Sequence, residues 1–148
     1  TYIDKLESPG PVRMASRVGA SVALHSSAVG KAYLAALDEA AREHLLRSLP
    51  LTARMPRTVT SLAELRAVLD VAAARGYATD DEENEAGIVC YGVALCDAAG
   101  RPVAGVSVST LLFRRREDPQ SAYIEPLLRL RDAAAAKLAV LPVSPGGA

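Results

Sequence analysis

The sequence predicts an α+β domain built as an antiparallel sheet with helices packed on it. Three observations predict that class. Two β-rich runs, Ile88 to Cys96 and Pro102 to Leu111, flank the turn Asp97-Ala98-Ala99-Gly100 and so read as a hairpin. Helical stretches come in a block before this hairpin and once after it, unlike the strand-helix alternation of a doubly wound parallel sheet. Apolar residues make up 50% of the 148 positions, enough for one core in a chain of single-domain length.

Along the chain, Thr1 to Glu7 and Val12 to Val18 are strand-like, and Ser8-Pro9-Gly10-Pro11 between them sets up a turn. After Val22-Ala23-Leu24, the hydroxyls of Ser26 and Ser27 can cap a helix that runs to Leu37. Asp38 can cap a second helix through Leu49, and Pro50 and Pro56 bracket an irregular link. Ser61-Leu62-Ala63-Glu64 is a capping-box pattern that opens a third helix. Its residues Leu62, Leu65, Leu69 and Ala72 share one face, and Gly76 supplies the stop. A short strand should precede the acidic stretch Asp80-Asp81-Glu82-Glu83 and the hairpin. Asp118-Pro119 then starts a last helix with Ile124, Leu127, Leu130, Leu138 and Leu141 on its buried side. The expected order is β-β-α-α-α-β-β-β-α, with 142–148 as a flexible tail.

Charge and composition narrow the function. Seventeen basic residues balance seventeen acidic ones, so the basic face of a nucleic-acid-binding module is not expected. No uncharged apolar run reaches the roughly 18 residues of a membrane span, and no signal peptide opens the chain, so a cytoplasmic location is expected. Cys90 and Cys96 make neither a disulfide framework nor a zinc motif and read as reduced thiols. The chain opens directly on a strand-like run without a start methionine, as a piece of a longer protein would.

Three places could carry chemistry. At Ser26-Ser27-Ala28-Val29-Gly30-Lys31 a helix start offers free backbone N–H groups and a dipole that favour a carboxylate, while Gly30 either admits a close approach or packs on the sheet. Strand alternation puts Gly105, Ser107 and Ser109 on one face, the hydroxyls about 7 Å apart. These serines face either a cavity or solvent. Ile88, Cys90, Gly92, Ala94 and Cys96 likewise share a face, whose small residues would leave room for a guest if it meets the face of Ser107. Asp80 could point inward to accept a ligand hydrogen bond, whereas Asp81, Glu82 and Glu83 read as a solvated loop. Catalytic patterns are weak. His25 and His44 have no metal-ligand spacing, and a Cys90–His25 pair could arise only through the fold. Arg114-Arg115-Arg116, followed at once by Glu117 and Asp118, reads as a solvated loop or subunit contact.

Four blocks carry a resemblance: Ser8-Pro-Gly-Pro-Val-Arg-Met14; Leu24-His-Ser-Ser-Ala-Val-Gly-Lys-Ala-Tyr-Leu-Ala-Ala-Leu37; Gly76-Tyr-Ala-Thr-Asp-Asp-Glu-Glu83 with Gly87-Ile-Val-Cys90; and Asp97-Ala-Ala-Gly-Arg-Pro-Val-Ala-Gly-Val-Ser-Val-Ser109. In their order and spacing they resemble the effector-binding domain of the IclR family of bacterial transcription regulators, from Lys5 to about Leu141. The resemblance implies a GAF-like (profilin-like) curved antiparallel sheet flanked by helices, in an effector-binding domain over 1–141. A small organic acid, of the keto acid or aromatic carboxylate class, is the implied effector. Operator DNA would be bound only through an N-terminal winged helix-turn-helix domain absent from this chain, in a homodimer or tetramer, with no membrane contact. By motif, the ligand-binding positions are Met14, Val22, Ala28, Val29, Gly30, Asp80, Cys90, Ser107 and Ser109. Catalytic residues, metal and cofactor are not expected. Two other readings remain open: a GAF-like cysteine-dependent reductase centred on Cys90 or Cys96, and a dimerisation domain that has lost its ligand.

Overall fold

A computed structural model describes residues 1–7 and 16–138. Among them are the helices α1 (Ala28–Ala36), α2 (Glu39–Ser48), α3 (Leu62–Arg75) and α4 (Glu125–Leu138), and the strands β1 (Ala78–Asp81), β2 (Ile88–Cys96) and β3 (Pro102–Leu111). The first three helices begin where a side chain can accept an orphan N–H. Ser27 accepts from Gly30, Asp38 from Ala41 and Ser61 from Glu64. Helix α3 ends on Gly76 at φ 80°, a left-handed cap that its missing Cβ allows.

The strands form an antiparallel sheet in the order β1-β2-β3. Pairing sets Asp80 opposite Cys90 and Cys90 opposite Ser109, then Ala78 opposite Gly92 and Gly92 opposite Ser107, then Ala94 opposite Gly105. Cross-strand partners share a face, so these residues form rows on one side of the sheet. Helix α1 lies on that side. The opposite side carries Val89, Tyr91 and Val93, which pack with Ile124 and Leu127 at the start of the last helix. Helices α2 and α3 cover α1 in turn through a core of Leu34, Leu46, Val59, Leu65 and Leu69. The result is three layers: helices, sheet, helix.

Three expectations change. Residues 1–7 and 16–18 form no strand, although Tyr2 exchanges two backbone hydrogen bonds with the 19–20 turn, Tyr2 N–H to Ala20 at 2.9 Å and Gly19 N–H to Tyr2 at 2.8 Å. The Ser8-Pro9-Gly10-Pro11 turn and the first part of the second run lie outside the described residues. Among the described residues the order is therefore α-α-α-β-β-β-α. On the last helix, Leu130 is 45% exposed. Ile124, Leu127 and Leu128 define the buried stripe at i, i+3 and i+4, and Leu130, six residues from Ile124, falls about 120° away. That helix is entered through a π-helical turn, Gln120–Ile124, after Asp118 has capped its N–H groups. Leu141 and the tail lie outside the described residues.

Candidate functional site

The site is built where α1 starts above the sheet. A Cβ placed on Gly92 would lie 2.6 Å from the Ala28 carbonyl carbon, and one on Gly105 would lie 2.6 Å from Val29 Cγ2. The small residues that were expected to leave room for a guest thus admit the helix itself. Gly30 serves a similar close approach to its own chain, since a Cβ there would sit 2.6 Å from Leu24 Cα. The row Asp80–Cys90–Ser109 lies one pleat repeat beyond Gly92, toward the open side, and Ser109 is exposed.

Cys90 Sγ and Ser109 Oγ are hydrogen-bonded at 3.1 Å. Burial pushes the Cys90 thiol up to about 12, against the Ser109 hydrogen bond and with help from the Asp80 and Glu85 carboxylates. A thiol held there is protonated at neutral pH, opposite to the lowered value a nucleophilic cysteine needs. His25 is also engaged elsewhere: its Nε2 bonds the Thr52 carbonyl oxygen at 2.9 Å. Among the described residues no three His, Cys, Asp or Glu side chains gather as a metal site would require.

Asp80 points inward, only 3% exposed. Its Oδ1 accepts the N–H groups of Glu83 at 2.9 Å and Asn84 at 3.2 Å. Burial pushes its carboxyl up to about 6, the two N–H groups pulling it back only in part. The chain turns at Glu82, whose φ is 58°, and forms a strap over 82–87. Three contacts hold that strap. Ser26 Oγ donates to Asn84 Oδ1 at 3.1 Å, Thr58 Oγ1 donates to the Glu83 carbonyl at 2.6 Å, and Lys31 pairs with Glu83. Glu83 is therefore not part of a solvated loop, because a fully buried ammonium claims it. Asp81 and Glu82 do meet Arg57 at the surface, at 2.7 and 3.7 Å.

The remaining sequence-derived positions divide. Ala28 is buried at the helix start, and Val29 and Val22 are half-buried. Ser107 stands beside Gly92 in the second row, half-buried. Met14 lies outside the described residues. Four further residues belong to the site's frame: Lys31, Glu83, Asn84 and Tyr2. The phenol of Tyr2 is raised by burial first, then by Cys90, Asp80 and Glu85, with Arg54 opposing, which places it beside the first row. Nothing in the residue pattern marks Tyr2, whereas Lys31 inside an otherwise apolar helix face was a signal that an acid had to be near. Two hollows lie elsewhere: a cavity of about 190 Å³ among Ala32, Ala72, Cys96 and Arg131, and an open groove of about 650 Å³ along Phe113 to Ala122. Neither touches Asp80, Cys90, Ser107 or Ser109.

Comparison with known proteins bears on the fold and the family. The family described as bacterial transcriptional regulator IclR, C-terminal, matches residues 1–137. The HTH-type transcriptional regulator KdgR of Dickeya chrysanthemi is 36% identical over 126 residues, covering 85% of this chain and 41% of that protein. The chain thus spans under half the length of this relative. The crystal structure of the Thermotoga maritima IclR superposes with a TM-score of 0.86 at 38% identity, over 91% of this chain and 55% of that one. An Acinetobacter PobR inducer-binding domain, a double mutant solved with 3-hydroxy benzoic acid, shares the fold at a TM-score of 0.71 and 22% identity, over 86% of this chain and 75% of that one. The architecture is GAF-like α+β, as the resemblance implied. The chain belongs to the IclR family of bacterial transcriptional regulators and matches its C-terminal domain.

Proposed function

We propose that this chain is an effector-sensing domain that binds a small organic acid where the start of α1 meets the Asp80–Cys90–Ser109 row. The carrying observation is the juxtaposition of that row with a buried helix start. The N–H groups of Ala28 and Val29 precede the first intrahelical bond, Lys31 N–H to Ser27, and so have no acceptor within α1. Together with the helix dipole they favour a carboxylate, and the Ser107 and Ser109 hydroxyls can donate to it from the sheet. Asp80 would accept from a ligand hydroxyl or turn away a second anionic group. The 3-hydroxy benzoic acid held by the PobR domain is one member of this class, and short keto acids are another.

In the full-length protein the reading extends to DNA. An N-terminal winged helix-turn-helix domain would bind the operator, with the effector domain, 1–141, altering its affinity through packing in a homodimer or tetramer. A ligand shifts such an assembly only as far as its affinity differs between the two arrangements, typically about 1–3 kcal/mol. Calorimetric titration with pyruvate and with 3-hydroxybenzoate tests the first step. At least one should bind, and Ser107→Ala and Ser109→Ala should each weaken it about tenfold, the loss of one hydrogen bond to a charged group. Absence of binding by both acids, or unchanged affinity in both variants, overturns the reading.

A further inference from the structure

The side chains of Lys31 and Glu83 pair with each other beneath the strap, and both backbone donors to Asp80 Oδ1 come from that strap, at Glu83 and Asn84. Lys31 is fully buried, and the second oxygen of its partner, Glu83 Oε2, is buried without a hydrogen bond. An ion pair desolvated this far is not explained by stability alone, since an apolar pair of similar volume often does as well. Its position explains more. The backbone N–H of Glu83 and that of Asn84 are the two donors to Asp80 Oδ1, and the Glu83 carbonyl is held by Thr58. Pulling the Glu83 side chain down onto α1 therefore fixes the strap that holds the Asp80 carboxylate. It also sets two opposite charges beside Asp80, with Lys31 favouring its ionised form and Glu83 opposing it.

We infer that Lys31 and Glu83 are a positioning pair for Asp80, fixing its orientation through the 82–87 strap and setting the charge that the site presents to a ligand. The consequence for ligand choice rests on the effector-binding reading, whereas the coupling to Asp80 does not. Asp80 is faced by Lys31 from α1, by Glu83 from the strap, by Cys90 from β2 and by Tyr2 from the N-terminal segment. Of these, Lys31 and Glu83 carry opposite charges, so their removal should have opposite effects.

The test is a carbon-detected NMR titration of the side-chain carboxyls in the 148-residue chain, with the Asp80 signal assigned by its loss in Asp80→Asn. Glu83→Gln should move the Asp80 midpoint down and Lys31→Met should move it up. The double variant Lys31→Met/Glu83→Gln should bring it back toward the wild-type value. Lys31→Arg, which keeps the charge, should leave it near the wild-type value. A merely structural pair would move both single variants the same way, or neither, and that outcome overturns the inference. If Lys31→Met does not fold, Glu83→Gln and the double variant decide: a fall that the second substitution does not reverse also overturns it. No ligand enters this titration, so its failure leaves acid binding standing, and failure of acid binding leaves the pair's coupling standing.

Discussion

At the residue scale, Asp80 carries a measurable cost of burial. Its carboxyl is raised from 3.8 to about 6, so the folded state holds that proton more tightly than the unfolded chain does. The stability this contributes is fully present below the unfolded value and is lost as pH rises through about 6, on the order of 3 kcal/mol across the window. Asp80→Asn keeps the acceptor for Glu83 and Asn84 and removes the titration. Urea unfolding at several pH values between 4 and 7 should therefore show wild type gaining stability relative to the variant as pH falls. Parallel curves for the two proteins would exclude the assignment. Gly92 sets the other residue-scale limit. Because the atoms that a Cβ would strike belong to the backbone of Ala28 and Val29, neither side can give by a rotamer change. Gly92→Ala should cost about 1–3 kcal/mol, at the upper end of that range, read as a lower denaturation midpoint.

At the element scale, most of the chain was legible. Strand alternation, turn chemistry and caps act within a few residues, so β2 and β3 begin and end where Ile88, Cys96, Pro102 and Leu111 predicted. The parity of Ser107 and Ser109 was legible for the same reason. Their partners were not, because register across β2 and β3 depends on a turn whose bulge shifts the pairing between Leu95 and Cys96. The burial of Glu83 was hidden too, since its partner is 52 residues away and an acidic run ordinarily means solvent. Strength of capping was equally invisible from composition. Ser27 and Ser61 are both serine caps, yet Ser27 is buried, donates to the Ala23 carbonyl at 2.6 Å and accepts from Gly30 at 3.2 Å, while Ser61 only accepts, at 3.5 Å on the surface. Ser27→Ala should cost about 2 kcal/mol because it leaves the buried Gly30 N–H without its acceptor and takes from the Ala23 carbonyl the shorter of its two donors, and Ser61→Ala less than about 1. Equal losses in denaturant unfolding would contradict that account of α1.

At the scale of the whole molecule, one thin sheet serves two cores with different duties. Its site-bearing face is made of small residues, Ala78, Gly92, Ala94 and Gly105, against which α1 lies at backbone contact. Its reverse face is made of large ones, Val89, Tyr91 and Val93, with Tyr91 stacked on Tyr123 at 5.5 Å between ring centroids. Since successive side chains in a strand point to opposite sides, a change on the reverse face reaches the site only through the sheet backbone, which both layers hold rigid. Leu127→Ala removes a buried side chain from the reverse core and should destabilise the domain by about 2–4 kcal/mol. Because both layers share β2, unfolding should remain a single transition. The affinity for whichever acid binds should stay within about twofold of wild type at temperatures where the variant is folded. Calorimetry on Leu127→Ala beside Ser109→Ala separates the two faces: an equal loss of affinity in both would mean that the acid is not held at the Asp80–Cys90–Ser109 row but depends on the fold as a whole.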